Sequence, residues 1–326
     1  MQWKLQMHER EAQQSGASVP ALGGVLAPMV TPLRRPDALD HGACRALVEH
    51  LLAGGVHGLF LLGTSGEGPS LSGPVRAAFV EEIVHAVAGR VPVLVTCADP
   101  SQAEALAFAR QSVRSGADVL VAVPPYYYPL DQRAMIAHYR AIADAVCRPV
   151  LLYNVPNHPH LSLTPESLAM LAEHPNIIGI KDSGGDWARF TELLEAVSHR
   201  PGFAVLIGPE LQLPAAIRAG AVGAVCGGAN LAPTWYVEAW DAARRRDEQR
   251  VRSLVQRFEA VDAGVYNASK QPSPLVPGLK QALAELGLCQ ATVVPPHRRL
   301  TDAERQTVRR TLQKLHLMDK AERSAQ

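Results

Sequence analysis

Ile177-Ile178-Gly179-Ile180-Lys181-Asp182-Ser183 is a short run of β-formers interrupted by one lysine. Pro175-Asn176 precede it and Gly184-Gly185 follow, so the run reads as a buried strand ending in a loop. An ammonium at the inner end of such a strand is costly. Removal from water disfavours the charged form of an amine, and a neutral amine is a nucleophile toward carbonyls. Two readings are open. Lys181 forms a Schiff base with a keto acid, or its head simply reaches past the strand end into water.

Working outward from this strand, the same unit repeats on both sides. Apolar runs at 25–32, 58–62, 91–97, 119–123, 150–155, 203–207 and 222–225 alternate with stretches of helical spacing at 40–54, 72–88, 101–115, 131–146, 187–198 and a run ending at Ala219. Asp40 is placed to cap the first of these helices. Thr164-Pro165-Glu166 opens the helix before the lysine strand, with threonine as cap and proline in the first turn. Short strands that are apolar throughout are expected of a parallel sheet buried on both faces. Eight such units between residues 21 and 232 predict an α/β fold, a closed (β/α)8 TIM barrel. A doubly wound open sheet is the alternative; it usually has fewer strands, and no GxGxxG turn follows the first strand.

Beyond residue 232 only helical periodicity remains, at 233–246, 248–264, 274–286 and 301–316. Residues 267–278 and 290–299, rich in Pro, Ser and Asn or carrying Pro295-Pro296, read as linkers. Residues 233–326 are therefore expected to form a helical appendage packed on the barrel, and 1–20 a loose N-terminal arm. Arg244-Arg245-Arg246 reads as a solvated helix end.

The balance of 32 Lys and Arg against 31 Asp and Glu gives a net charge of +1, which argues against nucleic acid or an anionic membrane as partner. No apolar run reaches membrane-spanning length, and Met1 to Ser18 lacks the apolar core of a secretory signal. The five cysteines are scattered, with no CxxC or Cys/His ligand spacing, so no metal site is expected. The pattern fits a reducing cytoplasm.

In a (β/α)8 barrel the chemistry sits at the C-terminal ends of the strands. There the sequence places Thr31, Thr64-Ser65, Tyr126 to Tyr128, Tyr153, His158, Lys181, Ser183 and Glu210. Gly63-Thr64-Ser65-Gly66-Glu67 sets two hydroxyls among glycines that let backbone N–H groups approach a ligand. Such a loop suits a small carboxylate, or it is a helix-capping turn; a phosphate loop is disfavoured because no GK[ST] follows. Tyr153 ends the strand beside Lys181 and is either a proton shuttle or a packing ring. Tyr126-Tyr127-Tyr128 reads first as an interface cluster.

The set Gly63-Thr64-Ser65-Gly66-Glu67, Pro125-Tyr126-Tyr127, Tyr153-Asn154-Val155-Pro156 and Gly179-Ile180-Lys181-Asp182 resembles the dihydrodipicolinate synthase / N-acetylneuraminate lyase family, over residues 22 to about 316. The resemblance implies that Lys181 forms an imine with pyruvate or a longer 2-oxo acid and that Tyr153 transfers protons. It implies that Thr64 and Ser65 hold the substrate carboxylate. Tyr127 matches the tyrosine that completes a relay, usually across a subunit interface. Gly208 and Val225 fall where the family lines the imine pocket. No metal or organic cofactor is implied, because the lysine supplies the electron sink, and a homo-oligomer, dimer or tetramer, is expected.

The match departs from the synthases after Tyr153-Asn154-Val155-Pro156. Asn157-His158-Pro159-His160 comes next, with His158 where they carry a carboxylate-gripping arginine. Glu210, in Gly208-Pro209-Glu210, either bonds substrate hydroxyls or sits in solvent. A histidine and a carboxylate at the rim suit a polar 2-oxo acid, and Gly68-Pro69-Ser70-Leu71-Ser72 resembles the 2-keto-3-deoxy-sugar-acid aldolase branch. The expected activity is a carbon–carbon lyase of that kind. The alternatives are a dehydratase or deaminase using the same imine, a dihydrodipicolinate synthase, or a non-catalytic ligand-binding homologue.

Overall fold

The computed structural model describes residues 22–155 and 161–318. Eight parallel strands close into a barrel: β1 (Gly24–Pro28), β4 (Gly58–Leu61), β5 (Val93–Cys97), β6 (Val119–Ala122), β7 (Val150–Asn154), β8 (Ile177–Asp182), β9 (Ala204–Ile207) and β10 (Gly223–Val225). They neighbour one another in chain order, and β1 closes the ring by pairing with both β4 and β10. The expected TIM barrel is therefore the fold, and the open sheet is excluded. The first strand is shorter than the apolar run suggests. Leu33–Arg35 (β2) and Ala38–Leu39 (β3) pair as a small antiparallel hairpin instead, turned at Pro36-Asp37. Arms of two and three residues are too short to show a period, so only the Pro-Asp turn signalled them.

Side chains alternate along each strand and sort into two cores. One set, including Leu26, Phe60, Leu94, Val121, Leu151 and Leu206, fills the barrel interior. The other, including Val25, Leu59, Leu120, Leu152, Ile180 and Val205, packs under the surrounding helices. Strands buried on both faces account for the unbroken apolar runs. Truncating an interior leucine such as Leu151 to Ala would cost about 2–5 kcal/mol.

Those helices are α1 (His41–Ala53), α2 (Gly73–Val87), α3 (Gln102–Arg114), α4 (Gln132–Ala145), α5 (Pro165–Ala172), α6 (Trp187–Ala196), α7 (Leu213–Ala219) and α8 (Pro233–Arg245). The predicted caps form: Asp40 accepts from the N–H of Ala43, and Thr164 from that of Ser167. The helix α8 packs on α7 and β1 and supplies the barrel's eighth helix. What lies beyond the barrel's own helices is α9 (Glu248–Val261), a π-helical turn at Asp262–Tyr266, α10 (Leu275–Glu285) and α11 (Asp302–Lys314). The exposed Arg244 and Arg245 end α8.

One irregularity in the ring decides which way the lysine points. The strands β7 and β8 pair Val150 with Ile177 but Leu151 with Gly179, leaving Ile178 as an extra residue. Strict alternation from Ile177, which faces the helices, would leave Lys181 facing the helices too. The bulge resets the alternation. Lys181 then lies opposite Tyr153, which faces the interior, and Asp182 opposite Asn154.

Candidate active site

Lys181 is only 5% exposed, so its head does not reach into water. Its Nζ lies 4.0 Å from the centre of the Tyr153 ring and 4.7 Å from that of Phe60. The two rings meet edge to face. They offer the ammonium π faces, an arrangement that stabilises a cation by roughly 0.5–2 kcal/mol. Below this pair Asn154 donates from Nδ2 to Asp182 at 2.6 Å, and the Gly184 N–H donates to the other Asp182 oxygen. Burial raises the Asp182 pKa, more than its hydrogen bonds lower it. This cross-strand bond holds β7 and β8 together one residue beyond Tyr153 and Lys181.

Tyr153 is buried, and burial alone would raise its pKa. The charge of Lys181 and hydrogen bonds with Thr64, Ser183 and Lys181 outweigh that and bring it below the ordinary phenol value. The Thr64 hydroxyl stands 3.4 Å from the Tyr153 hydroxyl, and either can donate. Thr64 is exposed while Ser65 is buried. The N–H groups of both are without a partner among the described residues. Two free N–H groups beside two hydroxyls can receive a carboxylate.

Thr64, Ser65, Tyr153 and Lys181 line one cavity of about 420 Å³, and Gly208, Glu210 and Val225 line it as well. A Cβ at Gly208 would overlap the Ser183 hydroxyl, so any larger residue there displaces that side chain. Glu210 is neither in solvent nor free to serve a ligand with all of its lone pairs. Its carboxylate accepts from the Gly228 N–H at 2.9 Å, from Tyr236 at 2.7 Å and from Tyr266 at 2.9 Å. Burial raises its pKa despite these bonds. Sequence reasoning missed Tyr236 and Tyr266. They come from α8 and the π-helical turn, and nothing in their local sequence marks them. The same turn brings Asp262 to the cavity; single π turns of this kind are frequent at functional sites.

Not every expected residue converges. Tyr127 is 73% exposed, packs edge to face on Tyr128, and lines neither this cavity nor the adjoining one. That second cavity, about 250 Å³, shares Thr64 and Tyr153 and is bordered by Tyr126 and by Thr96, whose buried hydroxyl has no partner among the described residues. His158 lies outside the described residues. Among the described residues there is no cluster of His, Cys, Asp and Glu able to hold a metal ion, and no helix is long and apolar enough to cross a membrane. Cys97 and Cys226 are buried thiols, and burial pushes Cys97 up to about 12.

A closed parallel barrel with a small-molecule cavity at the C-terminal ends of its strands is the frame of an aldolase-type carbon–carbon lyase. The chain belongs to the dihydrodipicolinate synthetase family, whose model matches residues 21–315. It is 34% identical over 299 residues to an uncharacterised DapA-like lyase of Halobacterium salinarum, covering 91% of this chain and 95% of that one. Among solved structures it is similar to dihydrodipicolinate synthase from Bacteroides thetaiotaomicron, with a TM-score of 0.88 and 36% identity over 91% of this chain and 100% of the other. It is also similar to YagE, a prophage protein of the dihydrodipicolinic acid synthase family from E. coli K12 solved with pyruvate. That match has a TM-score of 0.86 and 29% identity, over 91% of this chain and all of YagE.

Proposed function

We propose that the protein is a Schiff-base-forming lyase that cleaves or joins a carbon–carbon bond between pyruvate and an aldehyde, acting on a polar 2-oxo acid such as a 2-keto-3-deoxy sugar acid. The observation that carries this reading is the buried pairing of Lys181 with Tyr153 across β7 and β8, inside a cavity that also holds Thr64 and Ser65. The pyruvate bound in YagE supports the same substrate class.

In this reading the Lys181 amine adds to the C2 carbonyl, and loss of water gives a protonated imine. Thr64, Ser65 and their free N–H groups hold the carboxylate. Tyr153 removes the proton from the C4 hydroxyl. The C3–C4 bond breaks, its electrons pass into the imine as an enamine, and an aldehyde leaves. Tyr153 then returns a proton to C3, and hydrolysis releases pyruvate and the free lysine. Its pKa, held below the ordinary phenol value by the Lys181 charge and the hydroxyls at its tip, makes the phenolate more accessible than in a free tyrosine. The lysine is the electron sink, so the scheme uses neither metal nor organic cofactor.

Gly208 and Val225 shape the wall around the imine, Glu210 borders the part of the substrate beyond C3, and His158, outside the described residues, is assigned to that same part on the sequence alone. Tyr127, exposed on its own subunit, serves the Thr64 hydroxyl of a neighbouring one in a homodimer or tetramer. The unpaired, mostly buried thiols fit the cytoplasm.

Borohydride reduction in the presence of pyruvate, followed by mass spectrometry, tests the imine. The expected result is an adduct on Lys181 that is absent from Lys181→Ala; no adduct on the wild-type protein defeats the proposal. A screen of 2-oxo acids coupled to a pyruvate assay identifies the substrate. Loss of water or ammonia without pyruvate would instead make the enzyme a dehydratase or deaminase.

A further inference from the structure

The Thr64-Ser65 loop is held in an unusual way. Leu62 at its start and Glu67 at its end both have left-handed backbone, with φ of 59° and 56°. For residues other than glycine this conformation costs roughly 1–2 kcal/mol each, and it persists only where the surroundings impose it. The surroundings at Glu67 come from the far end of the chain. Its side chain is fully buried against the fully buried side chain of Lys280 on α10, and the two form an ion pair. The second Glu67 oxygen accepts from the N–H of Val294 at 2.7 Å, and Lys280 donates to the carbonyl of Thr292 at 2.7 Å. From the barrel side, the buried Thr31 hydroxyl donates to the Gly66 carbonyl at 2.7 Å.

Stability does not explain this pair. The desolvation of two charges offsets most of their attraction, and apolar replacements of buried pairs are often neutral or better. What sets it apart is its place, two residues after Ser65, on a strained turn whose Thr64 and Ser65 line the cavity and whose N–H groups are unpartnered among the described residues. The polarity of the pair is also fixed, because a backbone donor faces the carboxylate and a backbone acceptor faces the ammonium.

We propose that Glu67 and Lys280, with Thr31, are positioning residues that set the Thr64-Ser65 loop to receive a carboxylate. The C-terminal region thereby takes part in selecting a 2-oxo acid over a simple ketone. This rests on the lysine-imine reading above, and the test separates the two. The rate of borohydride trapping on Lys181 is measured at subsaturating pyruvate and at subsaturating acetone, which forms the same imine without a carboxylate. The ratio of the two rates is the carboxylate preference. In the Glu67→Gln/Lys280→Met double variant, which leaves no unpaired buried charge, the preference is expected to fall about ten-fold or more, as displacement of a positioning group by a fraction of an ångström does. The acetone rate stays within about two-fold, so general destabilisation is not the cause. Thr31→Val, a milder change at the other tether, shifts the preference in the same direction and decides the matter if the double variant does not fold. A wild-type preference in either variant, with the fold intact by circular dichroism, overturns the proposal. Failure of the wild-type protein to trap pyruvate overturns the imine reading as well.

Discussion

Tyr153 joins two environments that act on it in opposite directions. Burial favours its neutral phenol, while the ammonium over its ring and the hydroxyls at its tip favour the phenolate; the second set wins. The sign then fixes the pH behaviour. Tyr153 enters cleavage as the base that takes the C4-hydroxyl proton and then passes that proton to C3, so it must start as the phenolate, a fraction that rises as pH rises through the lowered pKa. We expect kcat for 2-oxo acid cleavage to rise with pH on a limb centred below the ordinary phenol value of about 10. Tyr153→Phe loses about two decades of rate together with that limb, while still trapping pyruvate on Lys181. A variant that keeps near-normal turnover would take Tyr153 out of this role. The sequence made Lys181 and Tyr153 visible, as polar residues at the ends of apolar strands. It left each with a bland reading, exposure for the lysine and ring packing for the tyrosine. The motif set as a whole favours the other readings, and the burial of Lys181 speaks only against its exposure. Glu210 was visible, but what holds it was not. Its partners Tyr236 and Tyr266 lie 26 and 56 positions away, beyond the reach of any local pattern.

At the scale of elements, strand and helix positions were legible because both periods are strong: solid apolar runs for the strands and capped amphipathic stretches for the helices. The β2–β3 hairpin and the π-helical turn at Asp262–Tyr266 were not, being too short or too helix-like to have a period of their own. Helix α11 shows how one residue can fix an element's end. Thr301 and Glu304 form a reciprocal capping box. Glu304 also accepts from both Arg298 terminal nitrogens and from Ser269. The Arg298 bond is the largest of several that hold its carboxyl well below the usual range. A depressed folded pKa contributes stability that is fully present above the unfolded value and is lost as pH falls through the folded one. Helicity and protection of residues 302–314 should therefore weaken progressively as pH falls below about 4, ahead of the barrel. Glu304→Gln should flatten that pH dependence. A helix that melts only together with the barrel, at the same pH in both proteins, would remove Glu304 as its acid-sensitive anchor.

For the whole molecule, the barrel strands carry Tyr153 and Lys181, which line the cavity, and later segments are tied to the loops around them. Glu67 is tied to Lys280 and Val294, and Glu210 to Tyr236 and Tyr266. The helical appendage was legible as helices, but not as part of the site, since the Glu67–Val294 bond spans 227 positions. In the proposed function the next level of organisation is a homo-oligomer. If Tyr127 serves a neighbour's site, Tyr127→Phe damages the partner's cavity and Lys181→Ala its own. Mixed oligomers of the two variants then contain sites with both residues intact. Mixing the inactive Lys181→Ala with the impaired Tyr127→Phe under conditions of subunit exchange should raise activity above the sum of the separate preparations. Strict additivity would place Tyr127 outside the relay.

The bulge at Ile178 has a consequence for how this strand tolerates insertions and deletions. It uncouples the two halves of β8. Ile177 keeps step with Val150, while everything from Gly179 onward keeps step with Leu151 and Tyr153. Ile178 is the residue that neither half needs for its pairing. Deleting it joins two segments already in register and leaves Lys181 opposite Tyr153, so the shortened protein should still be trapped on Lys181 by pyruvate and borohydride. Adding one residue after Gly179 turns the lysine toward the helices and should abolish trapping. On the imine reading, the strand that carries Lys181 can thus lose length at its base without losing its chemistry, but it cannot gain length nearer the site.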